Sequence, residues 1–140
     1  METLQVMLEE GAKVPEFAHV TDAGMDLFAL EDITALPKQA ITVRTGLRVA
    51  IPQGHVGLIW DKSGLAIKRG LKTMGGVIDS GYRGEIKIIV ISLSSGPVFI
   101  KKGSKVAQTL IQKVEQPAIQ VVNELPEADR GDAGFGSTGD

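Results

Sequence analysis

The chain has 140 residues, of which 43% are apolar and 23% charged, so it suits one globular domain and leaves no room for a second core. It contains no cysteine, which excludes disulfides, thiolate nucleophiles and cysteine-based metal sites. With a net charge of −2, electrostatic attraction to nucleic acid is not favoured. No apolar run approaches the ~20 residues of a membrane span, and the acidic N-terminus lacks a signal-peptide layout. We therefore expect a soluble protein of the cytoplasm or another intracellular space, with neither nucleic acid nor membrane as a partner.

Short runs of alternating apolar and polar residues, separated by glycine and proline, predict β-strands along most of the chain. The first runs cover Ala40–Pro52 and residues 56–60. Only Gly64–Arg69 predicts a helix, of one or two turns, closed by Gly70. Most of the chain is therefore expected to be extended, with a single helical turn near its middle.

The second half of the chain continues this pattern. Residues 86–91 are apolar on both faces, which predicts a strand buried on both sides. Further strands are expected at Pro97–Lys101, Val106–Val114 and Ala118–Glu124. Strands at this spacing, with turn signals between them, predict an all-β sandwich or barrel.

The composition changes after Pro126. Residues 127–140 contain four glycines and one large apolar side chain, Phe135, which is too little to hold a segment in a core. Two interpretations follow: a frayed chain end, or an arm that orders over a ligand. Composition alone favours the frayed end.

Five glycine-flanked polar clusters follow one another along the chain. They are the first motif AGMDL (23–27), the second motif DKSGLA (61–66), the third motif GGVIDSGYRGE (75–85), the fourth motif GSKVAQ (103–108) and the fifth motif RGDAGFGSTG (130–139). Each alone has an ordinary explanation: Asp79 suits a turn, Ser63 a helix N-cap and Gln108 an exposed strand position. Their order and spacing together resemble the five motifs of the trimeric deoxyuridine triphosphatase (dUTPase) family.

The resemblance implies a fold and an activity. The fold would be a jelly-roll-like, distorted β-barrel of residues 1–126 with one short helix, followed by a flexible glycine-rich arm of residues 127–140. Similar proteins are homotrimers in which one chain supplies the first, second and fourth motifs, a neighbour the third, and the remaining chain the arm. They hydrolyse dUTP to dUMP and pyrophosphate, with Mg²⁺ held on the triphosphate. This keeps uracil out of DNA and supplies dUMP for thymidylate synthesis.

The resemblance also assigns roles to residues. Asp79 matches the catalytic carboxylate, which would orient and deprotonate the water that attacks the α-phosphorus. Tyr82 matches the aromatic ring that packs on deoxyribose and leaves no volume for a 2′-hydroxyl. Asp26 matches an acidic residue that would reach the Mg²⁺ through water. Uracil would be read by the main chain of a hairpin that runs from residues 76–79 to about Lys87.

The other implied substrate contacts come from three parts of the chain. Phosphate binding falls to Lys62, Ser63, Gly64 and Gln108. Val77, Ile78 and Lys87 belong to the nucleoside side of the site together with Asp79 and Tyr82, and Thr73 is a further implied substrate contact. In the arm, Arg130 would clamp the γ-phosphate, Phe135 would stack on uracil, and Gly136, Ser137 and Thr138 would wrap the phosphates.

The second motif departs from the family pattern, which usually reads Pro-Arg where this chain has Asp61-Lys62. Lys62 keeps the positive charge but lacks the two-pronged guanidinium fork of arginine. Asp61 adds an anion for which the sequence indicates no role.

Two alternatives remain. A dCTP deaminase shares the fold, but that family resembles Arg-Ser-Ser at the second motif and has a catalytic glutamate in the third, whereas this chain has Lys-Ser-Gly and a full arm. A nucleotide-gated regulatory protein that keeps the dUTPase fold is the other. Asp79, Tyr82 and the arm favour turnover and leave a second, binding role open.

Overall fold

The computed structural model describes residues 3–132 of the chain. Within that range the chain forms eleven strands and one short helix, so the all-β prediction is confirmed. In chain order the elements are β1 (Gln5–Leu8), β2 (Met25–Phe28), β3 (Ile33–Ala35), β4 (Ala40–Arg44), β5 (Leu47–Ala50), β6 (His55–Trp60), α1 (Ser63–Arg69), β7 (Leu71–Met74), β8 (Val77–Ile78), β9 (Lys87–Ser92), β10 (Val98–Ile100) and β11 (Lys105–Lys113). None of the described residues forms a helix with the length and apolar character that a membrane crossing requires.

A four-stranded antiparallel sheet, in the order β2-β11-β6-β8, positions the motifs. Strand β2 contains most of the first motif, β11 contains the end of the fourth, and the second motif follows β6 directly. Because β11 lies between β2 and β6, Gln108 pairs with Asp26 on one side and with Trp60 on the other. Three motifs that are far apart in the sequence are therefore adjacent in this sheet.

The remaining strands form a three-stranded sheet, β4-β9-β7, and two antiparallel pairs, β1-β5 and β10-β3. The arrangement is jelly-roll-like, as the resemblance implied. The hydrogen bonding of the described strands keeps the four sheets separate, so they do not close into one continuous barrel.

Side chains from all four sheets meet in one apolar core. The largest fully buried aliphatic members are Leu27, Val43, Leu47, Ile88, Val90 and Ile100. Burial alternates along the strands: β10 buries Val98 and Ile100 and exposes Phe99. Each buried aliphatic side chain stabilises the fold by about 1.5–3 kcal/mol, so the period-two pattern specifies which face of each strand turns inward.

Two local predictions are confirmed in detail. Helix α1 ends at Arg69, and Gly70 closes it in the left-handed conformation with a φ of 63°. The run Ala40–Pro52 resolves into β4 and β5, because the chain turns at Gly46, where φ is +66° and a Cβ would lie only 2.9 Å from that of Ala12.

Two predictions are wrong for the single chain. Strand β9 is buried on one face only, since Ile89 remains 42% exposed while Ile88 is buried. Residues Ala118–Glu124 do not form a strand, because no described strand lies beside them to complete a ladder. Both places leave apolar side chains on the surface, including Ile119 and Val121.

Candidate active site

A pocket of about 770 Å³ lies where β6 ends and α1 begins. Its walls include Ala23 and Gly24 of the first motif, Lys62, Ser63 and Gly64 of the second, and Gln108 of the fourth. No lining residue among those described belongs to the third motif. The structure thus brings three of the predicted motifs together and leaves the third outside this pocket.

Gln108 occupies the centre of this arrangement. Its side-chain amide donates a hydrogen bond to the carbonyl oxygen of Asp61 at 2.8 Å. Gly24 makes room for it, because a Cβ at that position would collide with the Gln108 side chain. The glycine of the first motif is therefore a packing requirement of the fourth.

Asp26 is buried beneath the pocket and forms two ion pairs. One carboxylate oxygen pairs with the Nζ of Lys62, and the other lies 2.6 Å from the Nζ of Lys105. Burial by itself raises the pKa of Asp26, but the hydrogen bonds and charges of Lys105 and Lys62 outweigh it and hold that pKa below its ordinary value. Asp26 is therefore a buried anion with two cations. The sequence indicates no role for Lys105, whose partnership with Asp26 becomes visible only in the β2–β11 pairing.

The donor set does not form a resident metal centre. The described residues contain no group of three or more histidine, aspartate or glutamate side chains that could hold a metal ion. Both oxygens of Asp26 already face lysine ammonium groups. Lys62 and the Ser63 hydroxyl suit a phosphate chain, and a metal ion would arrive on that chain as part of the substrate.

Asp61, to which the sequence assigned no role, anchors the second motif to β7. Its carboxylate accepts hydrogen bonds from the Thr73 amide at 2.6 Å and the Thr73 hydroxyl at 2.7 Å, and from the Lys72 ammonium at 2.7 Å. Burial raises the pKa of Asp61, but the hydrogen bonds from Lys72 and Thr73 lower this pKa by a larger amount. The pKa of Asp61 therefore lies below its ordinary value. Thr73 is itself buried, and its amide and its hydroxyl both donate to Asp61.

The third motif does not form the predicted hairpin. Strand β8 pairs with β6, whereas β9, which begins at Lys87, belongs to the other sheet, so residues 79–86 connect two sheets. The reason is the glycine pair before β8, Gly75 and Gly76, of which Gly76 has a φ of +103°. The carbonyl of Gly76 accepts a hydrogen bond from the Ile59 amide at 2.8 Å, and this bond holds the segment against β6. The connection nevertheless contains the turn predicted at Asp79, where the Tyr82 amide bonds to the Asp79 carbonyl at 3.0 Å.

The connection between the two sheets is held by its own side chains. The Tyr82 hydroxyl donates to the Glu85 carbonyl at 2.9 Å, and the ring covers Gly84, where a Cβ would collide with it. The Glu85 carboxylate accepts from the Gly46 amide at 2.9 Å and from Arg44 at 3.1 Å. Glu85 therefore has a structural role in this connection. Asp79 is exposed, and Tyr82 is 44% exposed, so both face outward from the chain.

The remaining predicted site residues are dispersed. Val77 is exposed and Ile78 half-buried on β8, and Lys87 is exposed at the start of β9. Arg130 lies on the exposed segment after β11, next to a turn in which the Gly131 amide bonds to the Ala128 carbonyl. The other arm residues, Phe135, Gly136, Ser137 and Thr138, lie outside the described residues.

Fold and pocket together define a class: a jelly-roll-like β protein whose open pocket is assembled from separated glycine-flanked segments and offers Lys62, Ser63 and Gln108 to a ligand. The dUTPase family model matches residues 10–139. The deoxyuridine 5′-triphosphate nucleotidohydrolase of Clostridium kluyveri is 41% identical, with 99% of both chains covered. That of Mycobacterium leprae is 45% identical over 96% of this chain and 92% of its own. The chain belongs to the dUTPase family.

Solved structures agree with this assignment. The dUTPase of Staphylococcus bacteriophage 80alpha with dUpNHpp has a TM-score of 0.94 and 32% identity, covering 99% of both chains. A mutant dUTPase from phage phi11 of S. aureus, described with a coordinated structural Mg(II) ion, has a TM-score of 0.84 and 31% identity over 89% of this chain and 99% of its own. The relatives and structures named above are dUTPases, so they favour the dUTPase interpretation over the deaminase alternative.

Proposed function

We propose that the chain hydrolyses dUTP to dUMP and pyrophosphate, as a dUTP diphosphatase. The observation that carries this proposal is the convergence of Lys62, Ser63, Gly64 and Gln108 around one pocket above the buried Asp26. These groups supply a cation, a hydroxyl and amide donors, which is the chemistry that binds a triphosphate.

The phosphate end of the substrate binds to the second and fourth motifs. Lys62 is paired with Asp26 before the substrate binds, and it turns toward the phosphate oxygens when the triphosphate enters. Lys105 supports this change, because it lies 2.6 Å from the other oxygen of Asp26 and continues to balance the buried charge. The pocket therefore releases one cation to the substrate without leaving a buried carboxylate unpaired.

The metal enters as part of the substrate, a magnesium–triphosphate complex. When bound, Mg²⁺ neutralises phosphate charge and makes pyrophosphate a better leaving group. Asp26 would reach it only through water, because both of its carboxylate oxygens are held by lysines.

The nucleoside end binds to the third motif. Asp79 accepts a proton from the water that attacks the α-phosphorus, and the bond to the bridging oxygen of the leaving pyrophosphate breaks. The ring of Tyr82 packs on the deoxyribose. Val77 and Ile78 bind uracil through their main-chain groups. Among the described strands, β8 pairs with β6 alone, so the other edge of β8 has main-chain hydrogen-bonding groups for a ligand. Lys87 completes this side of the site. Thr73, which the resemblance also names as a substrate contact, is buried with its amide and hydroxyl on Asp61, so it supports the second motif and does not contact the nucleoside.

The complete site requires three chains. Within one chain the pocket lacks the third motif, so a neighbouring copy supplies Asp79 and Tyr82. The third copy supplies residues 127–140, with Arg130 on the γ-phosphate, Phe135 on uracil and Gly136, Ser137 and Thr138 around the phosphates. Exposed apolar side chains at Ile89, Ile119, Val121 and Leu125 support assembly, because monomers rarely leave so many on the surface. We therefore propose a homotrimer.

Incubation of the purified protein with dUTP and Mg²⁺, followed by measurement of pyrophosphate, tests the function. We expect release from dUTP and almost none from UTP, dTTP or dCTP. Release of ammonia from dCTP, or no product from dUTP, would contradict the proposal. Light scattering of the same sample tests the assembly: we expect the mass of three chains at micromolar concentration, and an active monomer would contradict it.

A regulatory role is a second candidate. The observation that favours it is the TM-score of 0.94 to a phage 80alpha dUTPase from work describing phage dUTPases as controlling the transfer of virulence genes by a G protein-like mechanism. The comparison to make is between protein with and without dUpNHpp in binding to candidate partner proteins. A nucleotide-dependent partner would support this role beside hydrolysis, and identical binding in both states would count against it.

A further inference from the structure

Asp61 connects three strands immediately before the segment Lys62–Gly64, which we call the phosphate turn. Its main-chain carbonyl accepts a hydrogen bond from the Gln108 side chain on β11 at 2.8 Å. Its carboxylate accepts three more, from the Thr73 amide and hydroxyl and the Lys72 ammonium on β7, at 2.6 to 2.7 Å. One residue at the end of β6 thus bonds to β7 and β11 at the same time.

Lys62 also pairs with the buried Asp26, but this ion pair opens in the proposed function when Lys62 turns to the substrate. Beyond that pair, the phosphate turn has little else to hold it. Lys62 occupies the N-cap position of α1, and no described side chain makes a capping hydrogen bond there. The first turn of α1 has no acidic residue, and none of its seven residues, all described, is buried. Neither capping nor core packing therefore specifies where the turn lies, which leaves the Asp61 bonds as its main anchor.

The Asp61 bonds to Thr73 are shielded from water. Thr73 is only 9% exposed, so its amide and hydroxyl need a partner within the protein. The pair with Lys72 is different, because the Lys72 side chain is 53% exposed and a surface ion pair contributes little. The two hydrogen bonds between Asp61 and Thr73 are therefore the contacts of this cluster that fix the position of the phosphate turn.

We propose that Asp61 is a positioning residue for dUTP hydrolysis. Asp61 lines the pocket, but its carboxylate is directed at Thr73 and Lys72. It therefore acts by holding the phosphate turn and Gln108 in the arrangement that receives the triphosphate, and it does not bind the phosphates itself. Its carboxylate does not repel the phosphates as a free anion would, because three donors and the charge of Lys72 already face it. The inference rests on the proposed function. It assigns a role to Asp61, the acidic residue that precedes Lys62 in the second motif.

The test compares Asp61→Ala with Asp61→Asn and with Lys72→Met as the matched control. For Asp61→Ala we expect kcat/KM for dUTP to fall about 10- to 100-fold, since displacement of a positioning group by about 1 Å costs that much. Binding of dUMP, which lacks the β- and γ-phosphates, stays within about threefold, whereas binding of dUpNHpp weakens with kcat/KM. Asp61→Asn recovers most of the loss because its amide oxygen still accepts from Thr73. Lys72→Met stays within about twofold, as loss of an exposed ion pair predicts.

Thr73→Val provides a second variant that keeps the shape and loses only the hydroxyl. We expect a smaller loss in the same direction, with dUMP binding again retained. Equal weakening of dUMP and dUpNHpp, together with a lower melting temperature, would show a purely structural role and overturn the proposal. So would an Asp61→Ala enzyme with wild-type kcat/KM while the wild type hydrolyses dUTP. A wild-type protein that does not hydrolyse dUTP would instead overturn the proposed function, and this inference with it.

Discussion

At the scale of single residues, the structure distinguishes carboxylates that bind partners within the chain from one that is exposed to solvent. Asp26, Asp61 and Glu85 are carboxylates whose partners hold their pKa values low, and each joins two parts of the chain. Asp79 is different: it lies exposed on a turn. A carboxylate that must receive a proton from water needs this availability, which is why the proposed base is the exposed acid among these four.

Replacement of Asp79 by asparagine tests the proposed base. We expect hydrolysis of dUTP to be nearly abolished while nucleotide affinity stays within about one order of magnitude, because the amide keeps the shape but cannot accept the proton. Single-turnover kinetics and equilibrium binding of dUpNHpp measure the two quantities. Glu31→Gln, an exposed carboxylate changed in the same way, is the control. Most of the wild-type turnover in Asp79→Asn would remove Asp79 from this role.

Tyr82 offers a test of sugar selectivity. Replacement by alanine opens the volume beside C2′, so we expect the preference for dUTP over UTP to fall more than kcat/KM for dUTP itself. Tyr82→Phe keeps the ring and loses only the hydroxyl bond to the Glu85 carbonyl, so it should retain the preference. The measurement is the ratio of kcat/KM for the two substrates. An unchanged ratio in Tyr82→Ala would mean that another group reads the sugar.

At the scale of elements, the connection from β8 to β9 is fastened to the turn between β4 and β5 through Glu85. Its carboxylate receives the Gly46 amide and the Arg44 guanidinium, and its side chain is only 12% exposed. Burial raises the pKa of Glu85, but the Gly46 and Arg44 bonds outweigh this and lower it below its ordinary value. The ionised carboxylate therefore stabilises the fold and holds the proposed third-motif loop in place.

This contribution has a definite pH dependence. Because the folded pKa is lowered, the stabilisation is complete above the ordinary glutamate pKa of about 4.3 and is lost as the pH falls through the folded value. We expect the melting temperature of the wild type to fall on acidification below about pH 4.3, and that of Glu85→Gln to be lower at pH 7 and to fall less. Thermal melts from pH 3 to pH 7 measure this. Parallel curves for the two proteins would contradict the assignment.

The elements also show what local sequence can predict. Alternation, the glycine closing α1 and the Asp-Ser-Gly turn are properties of neighbouring residues, so strands β4–β6 and β9–β11, Gly70 and the turn at Asp79 were predictable. The short strands β1, β2, β3, β7 and β8 were not predicted. The pairing of β11 with both β2 and β6 is not local, and neither are its products, the Asp26–Lys105 pair and the hydrogen bond from Gln108 to Asp61. The predicted strand at Ala118–Glu124 failed for the same reason: a periodic pattern does not specify a partner.

At the scale of the whole molecule, the single chain presents an incomplete pocket and an uncovered surface. The pocket contains three motifs, the third motif faces outward elsewhere, and the segment after β11 is exposed throughout its described length. These features have a common explanation if each active site is built from motifs that belong to different copies of the chain. Such an arrangement makes catalysis depend on assembly, and it allows the contributions of different chains to be separated by mutation.

Deletion of Arg130–Asp140 tests this arrangement. The described residues of the deleted segment, 130 to 132, are exposed, so their loss removes nothing from the apolar core, and we expect a normal melting temperature and a normal trimer. Turnover should fall about 100-fold or more, because the triphosphate is no longer held for in-line attack and water stays in the site. Phe135→Ala should show a smaller part of the same loss, and Glu127→Gln, just outside the deletion, serves as the control.

Mixing two inactive proteins then tests whether the parts come from different chains. The truncated chain keeps Asp79 and lacks the arm, whereas full-length Asp79→Asn keeps the arm and lacks the base. In mixed trimers, some sites receive an intact Asp79 from one chain and an intact arm from another, so we expect activity to reappear after the two are unfolded and refolded together. Simple mixing without exchange of subunits is the control and should give none. If each site drew both parts from the same chain, every site would lack one of them and no activity would return. Near wild-type turnover by the truncated protein alone would show that the arm has no part in catalysis.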